Sequence, residues 1–201
     1  MSAESITPEI ILRAYINGIF PMGDPDAEDE LNWYSPEQRG IIPLDKFKVP
    51  KNLEKLYRRN KFRILVNKNF EEVIKECANV NNRRQPETGW ITPKITELYI
   101  ELHKMGFAHS VESYFEGKLV GGLYGVTING AYFGESMFTK ATDASKVALV
   151  HTVERLKEKG FKLLDTQFIN QHLVQFGAIE ISKDEYMKML EEALQVKTSF
   201  V

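Results

Sequence analysis

Residues 92–168 read TPKITELYIELHKMGFAHSVESYFEGKLVGGLYGVTINGAYFGESMFTKATDASKVALVHTVERLKEKGFKLLDTQF, and helical and strand periods alternate within them. Ile95, Leu98, Tyr99 and Leu102 recur at helical spacing behind Thr92, an N-cap, and Pro93, a first helical residue; Gly106 supplies the stop. The pattern then changes to strands over 108–115, 118–128 and 131–138, separated by the hairpin dipeptides Glu116-Gly117 and Asn129-Gly130. Val147, Val150, Val153 and Leu156 mark an amphipathic helix over 145–159, closed by Gly160, and 161–168 returns to strand. A strand, a helix and a strand in that order predict a right-handed parallel crossover between the third and fourth strands, in a sheet that is otherwise antiparallel.

Outward from this segment the signals are shorter. Upstream, Ile10, Ile11, Ala14 and Tyr15 share a helical face between Thr7-Pro8 and Gly18. Residues 20–50 hold five prolines and an acidic loop over 24–30, a composition of short strands and turns. A mixed helical stretch at 52–59 leads to the alternation Phe62, Ile64, Val66, which reads as a strand, and Phe70, Val73, Ile74 and Cys77 space as a short helix. A polar linker is expected over 79–88. Downstream, 170–176 and 183–194 read as helices around a short strand at 179–181. The class is α+β, and the order from Thr92 resembles that of acyltransferases of the GNAT type. Fold alone assigns no function.

Composition narrows the field. The chain has 201 residues, 43 % hydrophobic and 27 % charged, which excludes a disordered or fibrous protein. No apolar run approaches the roughly 18–20 residues that span a bilayer, and no secretory signal is read at the start, so a cytoplasmic location is expected. One cysteine, Cys77, forms no internal disulfide, and four scattered histidines offer no zinc spacing, so no metal is expected. The net charge of −2 argues against indiscriminate binding to nucleic acid. That mean hides an asymmetry: residues 1–40 carry eight acids and two bases, whereas 45–68 carry nine bases against two acids. A basic field including Arg58, Arg59 and Lys61 fits a bounded contact with phosphates, and equally a solvated lysine-rich surface.

Three constellations could carry chemistry. Glu135 stands in Phe133-Gly134-Glu135-Ser136-Met137-Phe138, and a carboxylate inside an apolar strand is costly unless paired, bonded or turned to solvent. Asp165 and Gln167 lie two apart on one strand and project from one face, where an acid and an amide together could hold an amine; a strand-end cap and a solvated Gln is the plainer reading. Trp33 and Trp90 sit between turn residues, as a ligand wall or as loop staples. His109 reads as a structural strand histidine. The loop 139–144 has no glycine to let backbone amides approach a coenzyme pyrophosphate, and neither a Gly-x-Ser-x-Gly elbow nor a Walker loop is present.

Over about residues 6–190 these blocks resemble the leucyl/phenylalanyl-tRNA–protein transferase family. The residues that carry the resemblance are Gly18-Ile19-Phe20-Pro21-Met22, Trp33-Tyr34-Ser35-Pro36 with Arg39-Gly40, Trp90-Ile91, Ala108-His109-Ser110-Val111-Glu112, Leu119-Val120-Gly121-Gly122-Leu123-Tyr124-Gly125, Gly134-Glu135-Ser136-Met137-Phe138, Ala144-Ser145-Lys146, Asp165-x-Gln167 and His172-Leu173. The resemblance implies a small N-terminal domain, placed over 1–62, and a GNAT-like acyltransferase domain over 63–201. It implies transfer of Leu or Phe, and weakly Met, from aminoacyl-tRNA to a protein bearing N-terminal Arg or Lys, marking that protein for degradation, without metal or cofactor and as a monomer. By the family pattern Trp33 and Trp90 bracket the terminal adenosine, and Leu123, Glu135, Leu149, Thr152 and Leu164 line the pocket for the donor side chain. Asp165 and Gln167 attend the attacking amine, and Arg58, Arg59 and Lys61 meet tRNA phosphates. The chain departs from the pattern at Tyr34, where a second tryptophan is common, and at Gly89, where a threonine often precedes Trp90. It also opens close to the first motif, where longer relatives carry an extension. Two readings of other classes stand beside this one: a coenzyme-dependent N-acetyltransferase, and a tRNA-binding module without catalysis.

Overall fold

The computed structural model describes residues 6–84 and 89–201. A two-stranded ribbon of β1 (Phe20–Asp24) and β2 (Ala27–Tyr34) accompanies a seven-stranded sheet. The sheet contains β3 (Gln38–Ile41), β4 (Arg63–Val66), β5 (Ala108–Phe115), β6 (Lys118–Ile128), β7 (Ala131–Thr139), β8 (Leu163–Gln167) and β9 (Ile179–Ser182). Their spatial order is β4-β5-β6-β7-β8-β3-β9, and every pairing is antiparallel except β7 with β8. The fold is therefore α+β with a mixed, mainly antiparallel sheet, and the parallel pair is the one the crossover predicts.

Local chemistry sets the boundaries. Glu116 and Gly117 have φ of 48° and 76°, the double left-handed geometry that a two-residue hairpin between β5 and β6 requires. Thr92 Oγ1 accepts from the Ile95 amide at 3.4 Å and caps α4 (Pro93–Lys104). Helices α1 (Pro8–Ile16), α3 (Phe70–Arg84), α4 and α7 (Lys183–Leu194) supply Ile11, Val73, Ile95 and Leu190 to one core. Helix α5 (Ala144–Glu158), with α2 (Lys51–Arg58) and the short α6 (Gln171–Val174), covers a second core through Val147, Val153, Leu53 and Leu173. The sheet alternates between the two: Tyr124 and Val126 of β6 face the first core and Leu123 the second.

Two segments differ from expectation. Helix α3 continues to Arg84 instead of ending near Cys77, because Ala78 and Val80 extend its inward face and the intervening polar residues ride the helix. Residues 85–88 of the expected linker lie outside the described residues. The acidic stretch at 24–30 is mostly strand, since β2 begins at Ala27 and pairs with β1. Residues 1–62 also supply β3, which is hydrogen-bonded between β8 and β9. Among the described residues no helix is long and apolar enough to cross a membrane.

The parallel pair is short. It joins Ala131 to Leu163, Tyr132 to Leu164 and Phe133 to Asp165, and there the pairing ends. Burial along β7 is complete through Phe133 and partial from Gly134 to Met137. Each strand carries a bulge where they separate. On β7, Tyr124 faces Ser136 and Gly125 faces Gly134, so Glu135 has no partner on β6. On β8, Gly40 faces Gln167 and Ile41 faces Asp165, so Thr166 has no partner on β3. Bulges re-aim side chains in this way.

Gly125 admits no side chain, because a Cβ there would lie 2.5 Å from the Phe133 carbonyl oxygen and 2.6 Å from the Tyr132 ring. Gly125→Ala is expected to destabilise the fold by about 1–3 kcal/mol. Thermal unfolding followed by circular dichroism should show a midpoint several degrees lower, and an unchanged midpoint contradicts this packing.

Candidate active site

Where β7 and β8 part, a cavity of about 510 Å³ opens through the sheet. Its wall toward α5 is apolar, from Ile42, Leu123, Leu149 and Leu164, with Thr152 beside them. The Thr152 hydroxyl donates to the Ala148 carbonyl at 2.8 Å, so this wall presents no unsatisfied group at that position. The opposite wall holds Glu135, Ser136, Tyr124 and Trp90. Four of the five residues expected at the donor pocket thus lie with the fifth, Glu135, around one space.

Glu135 is the only carboxyl among the described lining residues. Its Oε1 accepts from the Tyr15 hydroxyl of α1 at 2.6 Å, and its Oε2 from the Tyr99 hydroxyl of α4 at 3.3 Å. The two tyrosine oxygens are 2.5 Å apart. Burial pushes the Glu135 carboxyl up to about 8; the Tyr15 bond opposes this, and the nearby Asp165 charge adds to it. The carboxyl is therefore turned inward, against the solvated alternative, and retained by hydroxyl donors from two helices. Tyr15 and Tyr99 each read as apolar helix-face residues in the sequence, and nothing in their spacing signals the shared acceptor.

Asp165 and Gln167 are both buried, and neither lines the cavity. Arg39 of β3 donates to Asp165 twice, from Nε to Oδ1 at 3.0 Å and from Nη2 to Oδ2 at 2.6 Å. The Tyr186 hydroxyl of α7 donates to Oδ2 at 2.8 Å, and the Gln167 amide to Oδ1 at 2.8 Å. These four bonds occupy the acceptor capacity of both oxygens. The guanidinium is itself enclosed, 4.5 Å from the ring centres of Phe20 and Tyr186, and donates to the Gly18 carbonyl. Asp165 and Gln167 are brought together, but through the Gln167 backbone. Gln167 has a φ of 57°, uncommon for a residue with a side chain, and its buried Nε2 has no partner among the described residues. Arg39 was legible only as part of a motif, and Tyr186 not at all.

The remaining candidates surround this centre. Trp90 lines the cavity, and its carbonyl accepts from the Gly23 amide of β1 at 2.9 Å. Trp33 is exposed on β2, opposite Pro21, on the ribbon face that Leu31 and Gly23 share. Tyr34, on the other face, stacks on Phe20 at 5.8 Å, which meets the cavity residue Phe168 edge-on at 5.6 Å. Arg58, Arg59 and Lys61 are exposed at and beyond the end of α2, with Arg58 paired to Glu54 at 2.6 Å. Helix α2 packs on α5, where the Tyr57 hydroxyl donates to Glu154 at 2.7 Å. His109 is buried beside Phe200 and 2.9 Å from the Asn67 amide, a structural environment, and burial holds it at about 4. Among the described residues no three His, Cys, Asp or Glu side chains group as metal ligands.

The mixed sheet splays around a slot with one apolar and one carboxyl-bearing wall. Comparison with known proteins then places the chain. The family model described as leucyl/phenylalanyl-tRNA protein transferase matches residues 41–191, and the model of that family's N-terminal domain matches 4–37. The two models meet near β3, ahead of residue 62. A leucyl/phenylalanyl-tRNA–protein transferase from Rhizorhabdus wittichii is 50 % identical over 193 residues, covering 96 % of this chain and 77 % of that protein. One from Paramagnetospirillum magneticum is 51 % identical over 189 residues, covering 94 % and 90 %. The chain belongs to the leucyl/phenylalanyl-tRNA–protein transferase family. Among solved structures, L-PGS from Bacillus licheniformis matches with a TM-score of 0.46 and 14 % identity, over 92 % of this chain and 70 % of that one. The PaiA N-acetyltransferase from Thermoplasma acidophilum in complex with coenzyme A matches at 0.36 and 15 %, over 49 % and 75 %.

The raised Glu135 carboxyl makes stability depend on pH. An unfolded glutamate titrates near 4.3, whereas the folded one keeps its proton to about 8. Between these values the folded state binds the extra proton, so this group's contribution to stability falls as pH rises and its cost is complete above the folded value. Glu135→Gln removes that cost. Thermal midpoints of variant and wild type, compared from about pH 5 to pH 9, should diverge in the variant's favour as pH rises; a constant difference contradicts the shift.

Proposed function

We propose that the chain transfers a leucyl or phenylalanyl group, and a methionyl group less readily, from aminoacyl-tRNA to the N-terminal Arg or Lys of an acceptor protein. The observation that carries this reading is the two-walled slot: an apolar wall for the donor side chain, and Glu135 opposite it for an amine. Family membership points to the same chemistry. The reaction works as a monomer in the cytoplasm, with no cofactor, and marks the acceptor for degradation.

The donor ester is already activated, so the attacking α-amine needs orientation more than energy. Positioning of this kind is worth up to about 7–11 kcal/mol. The α-amino group titrates at about 7.7–8, close to the value of Glu135, so a proton passes between them at little cost. Glu135 holds the amine and receives its proton, and the Gln167 amide shares the amine's remaining hydrogen. Asp165 acts on Gln167 as a positioning residue, with Arg39 and Tyr186 fixing it. This arrangement assigns Asp165 no direct contact with the amine. Trp90 and Trp33 flank the terminal adenosine. Arg58, Arg59 and Lys61 meet acceptor-stem phosphates along α2.

The apolar wall separates donor side chains by about 1–3 kcal/mol per methylene and excludes polar ones by desolvation. Incubation with charged tRNA and a peptide beginning with Arg, read by mass spectrometry, should add one Phe or Leu residue, less Met and no Ser. Acetylation by acetyl-CoA without tRNA would select an N-acetyltransferase instead, and tRNA binding without product a binding module.

Reversing the basic stretch, as Arg58→Glu with Arg59→Glu and Lys61→Glu, should raise the KM for tRNA and flatten its dependence on salt. The kcat should change little. A KM and salt slope equal to wild type would remove the phosphate contact.

A further inference from the structure

Three buried hydroxyls among the slot's lining residues have no hydrogen-bond partner among the described residues: Tyr124, which stands edge-on to Phe70 and Tyr99, and Tyr132 and Thr166 on the two strands that part. Tyr132 is 1 % exposed, and its Oη, like the Thr166 Oγ1, finds no hydrogen-bond partner among the described residues. Both residues line the cavity. Buried hydroxyls are rarely left in this state, and an exception asks for a reason. Here the backbone supplies one. Gly125 lies beneath the Tyr132 ring, with space for no Cβ, and the next residue but one along β7 is Gly134. The Tyr132 ring therefore lies over Gly125 and comes within 3.8 Å of a Cβ position at Gly134, the first β7 residue beyond the parallel pairing. Thr166 is the unmatched residue of the β8 bulge. Because Phe133 faces Asp165, Thr166 stands level with Gly134 across the opening. Tyr132 and Thr166 thus belong to the two strands that part at the slot and line it together with Glu135, the Thr166 hydroxyl lying over Gly40 of β3.

We infer that the Tyr132 and Thr166 hydroxyls donate hydrogen bonds to the carbonyl oxygen of the donor ester and hold the negative charge that forms on it during attack. The inference rests on the transferase reading above. In the step itself the acceptor's α-amino nitrogen forms a bond to the ester carbon, and the carbonyl electron pair moves onto the oxygen between the two hydroxyls. That pair then returns, and the bond from carbon to the ribose oxygen breaks. The amine's proton leaves through Glu135 and ends on the ribose oxygen, so the products are a peptide bond and a free tRNA terminus. Neither hydroxyl is consumed; each remains a donor throughout. Two donors on one oxygen suit a group whose charge grows in the transition state, because bonds fixed in a partly dry site gain strength as that charge appears. Their unpartnered state means that no protein bond is broken when the ester arrives.

The test uses the full chain with Phe-tRNA and an Arg-initiated peptide. Tyr132→Phe, Thr166→Val and the double variant are compared with wild type by kcat, donor KM and thermal midpoint. Loss of one such donor should lower kcat by about 10-fold or more, toward the 10²–10³ known for oxyanion donors, with donor KM within twofold and the midpoint unchanged. Thr166→Ser, which keeps the hydroxyl, should retain most of the activity that Thr166→Val loses. A phosphonate analogue of the ester, which is tetrahedral and charged, should lose affinity for Tyr132→Phe and Thr166→Val, while a planar amide-linked analogue should not. Several outcomes overturn the assignment: unchanged kcat in both single variants, a loss confined to KM, a loss tracking the midpoint, or a change only in the Leu, Phe and Met ratio, which would make the hydroxyls side-chain contacts. If wild type yields no product, the transferase reading fails and this inference with it.

Discussion

The separation of β7 from β8 after Phe133 is the constraint on which the rest depends. Parallel strands joined by a helix ordinarily remain paired, and their exposed edges do not open inside a core. Here the pairing stops after three residue pairs, and each freed strand immediately carries a bulge, with Glu135 on one and Thr166 on the other. The other edge of β8 is held by β3, through Gly40 and Ile41. A segment from the first quarter of the chain thus closes the sheet beyond the opening, and the slot becomes a hole with walls instead of the end of a sheet.

The Arg39–Asp165 pair maintains that closure. A buried ion pair is weak evidence for stability, since desolvation offsets most of its attraction, but removing one partner costs about 3–5 kcal/mol. What the pair secures is register. Arg39 on β3 and Asp165 on β8 meet through two bonds in a fixed fork, and Asp165 in turn holds the Gln167 amide in its left-handed conformation. Gly40 permits this approach, because a Cβ there would lie 2.9 Å from the Phe168 backbone and 3.0 Å from the Thr166 hydroxyl. The Asp-x-Gln stretch is therefore one geometric unit with Arg39-Gly40, and its strain is located beside the slot.

Much of the fold was legible from residues because local and global signals agreed: Thr92 with Pro93, Glu116-Gly117, and the alternation of β5 to β7 each have a single plain reading. The site was legible in its members but not in its relations. Asp165 and Gln167 lie two apart on a strand, which alternation reads as one face; it could not reveal that they meet through the Gln167 backbone or that Arg39, distant in sequence, fills the Asp165 acceptors. Nor could helical spacing reveal that Tyr15 and Tyr99 turn hydroxyls to one carboxyl. Tyr132 looked like one more apolar strand residue, and Thr166 like the middle of a motif. A bulge displaces the period of two on which strand reading relies, and both bulges fall where the chemistry is. The α3 extension was missed for a different reason: the stretch after Cys77 is polar and its apolar period is carried only by Ala78 and Val80, so composition suggested a linker.

On the proposed reaction, the two walls suit one slot to two unlike substrates. An apolar side chain gains by leaving water and needs no fixed partner, so Leu123, Leu149 and Leu164 suffice on the α5 side. An amine needs an acceptor and loses its hydration on entry, so the opposite wall must supply a carboxyl that stays buried without being neutralised by a cation. Tyrosine hydroxyls do this where an arginine would not: they bond Glu135 yet leave it close to the titration of an α-amine. Arg39, whose charge lowers it slightly, is committed by its hydrogen bonds to Asp165. Asp165 and Glu135 are thus two carboxyls with opposite surroundings, one bonded by a guanidinium and one held by phenols, and on the proposed reaction that difference gives the first a structural part and the second the proton exchange.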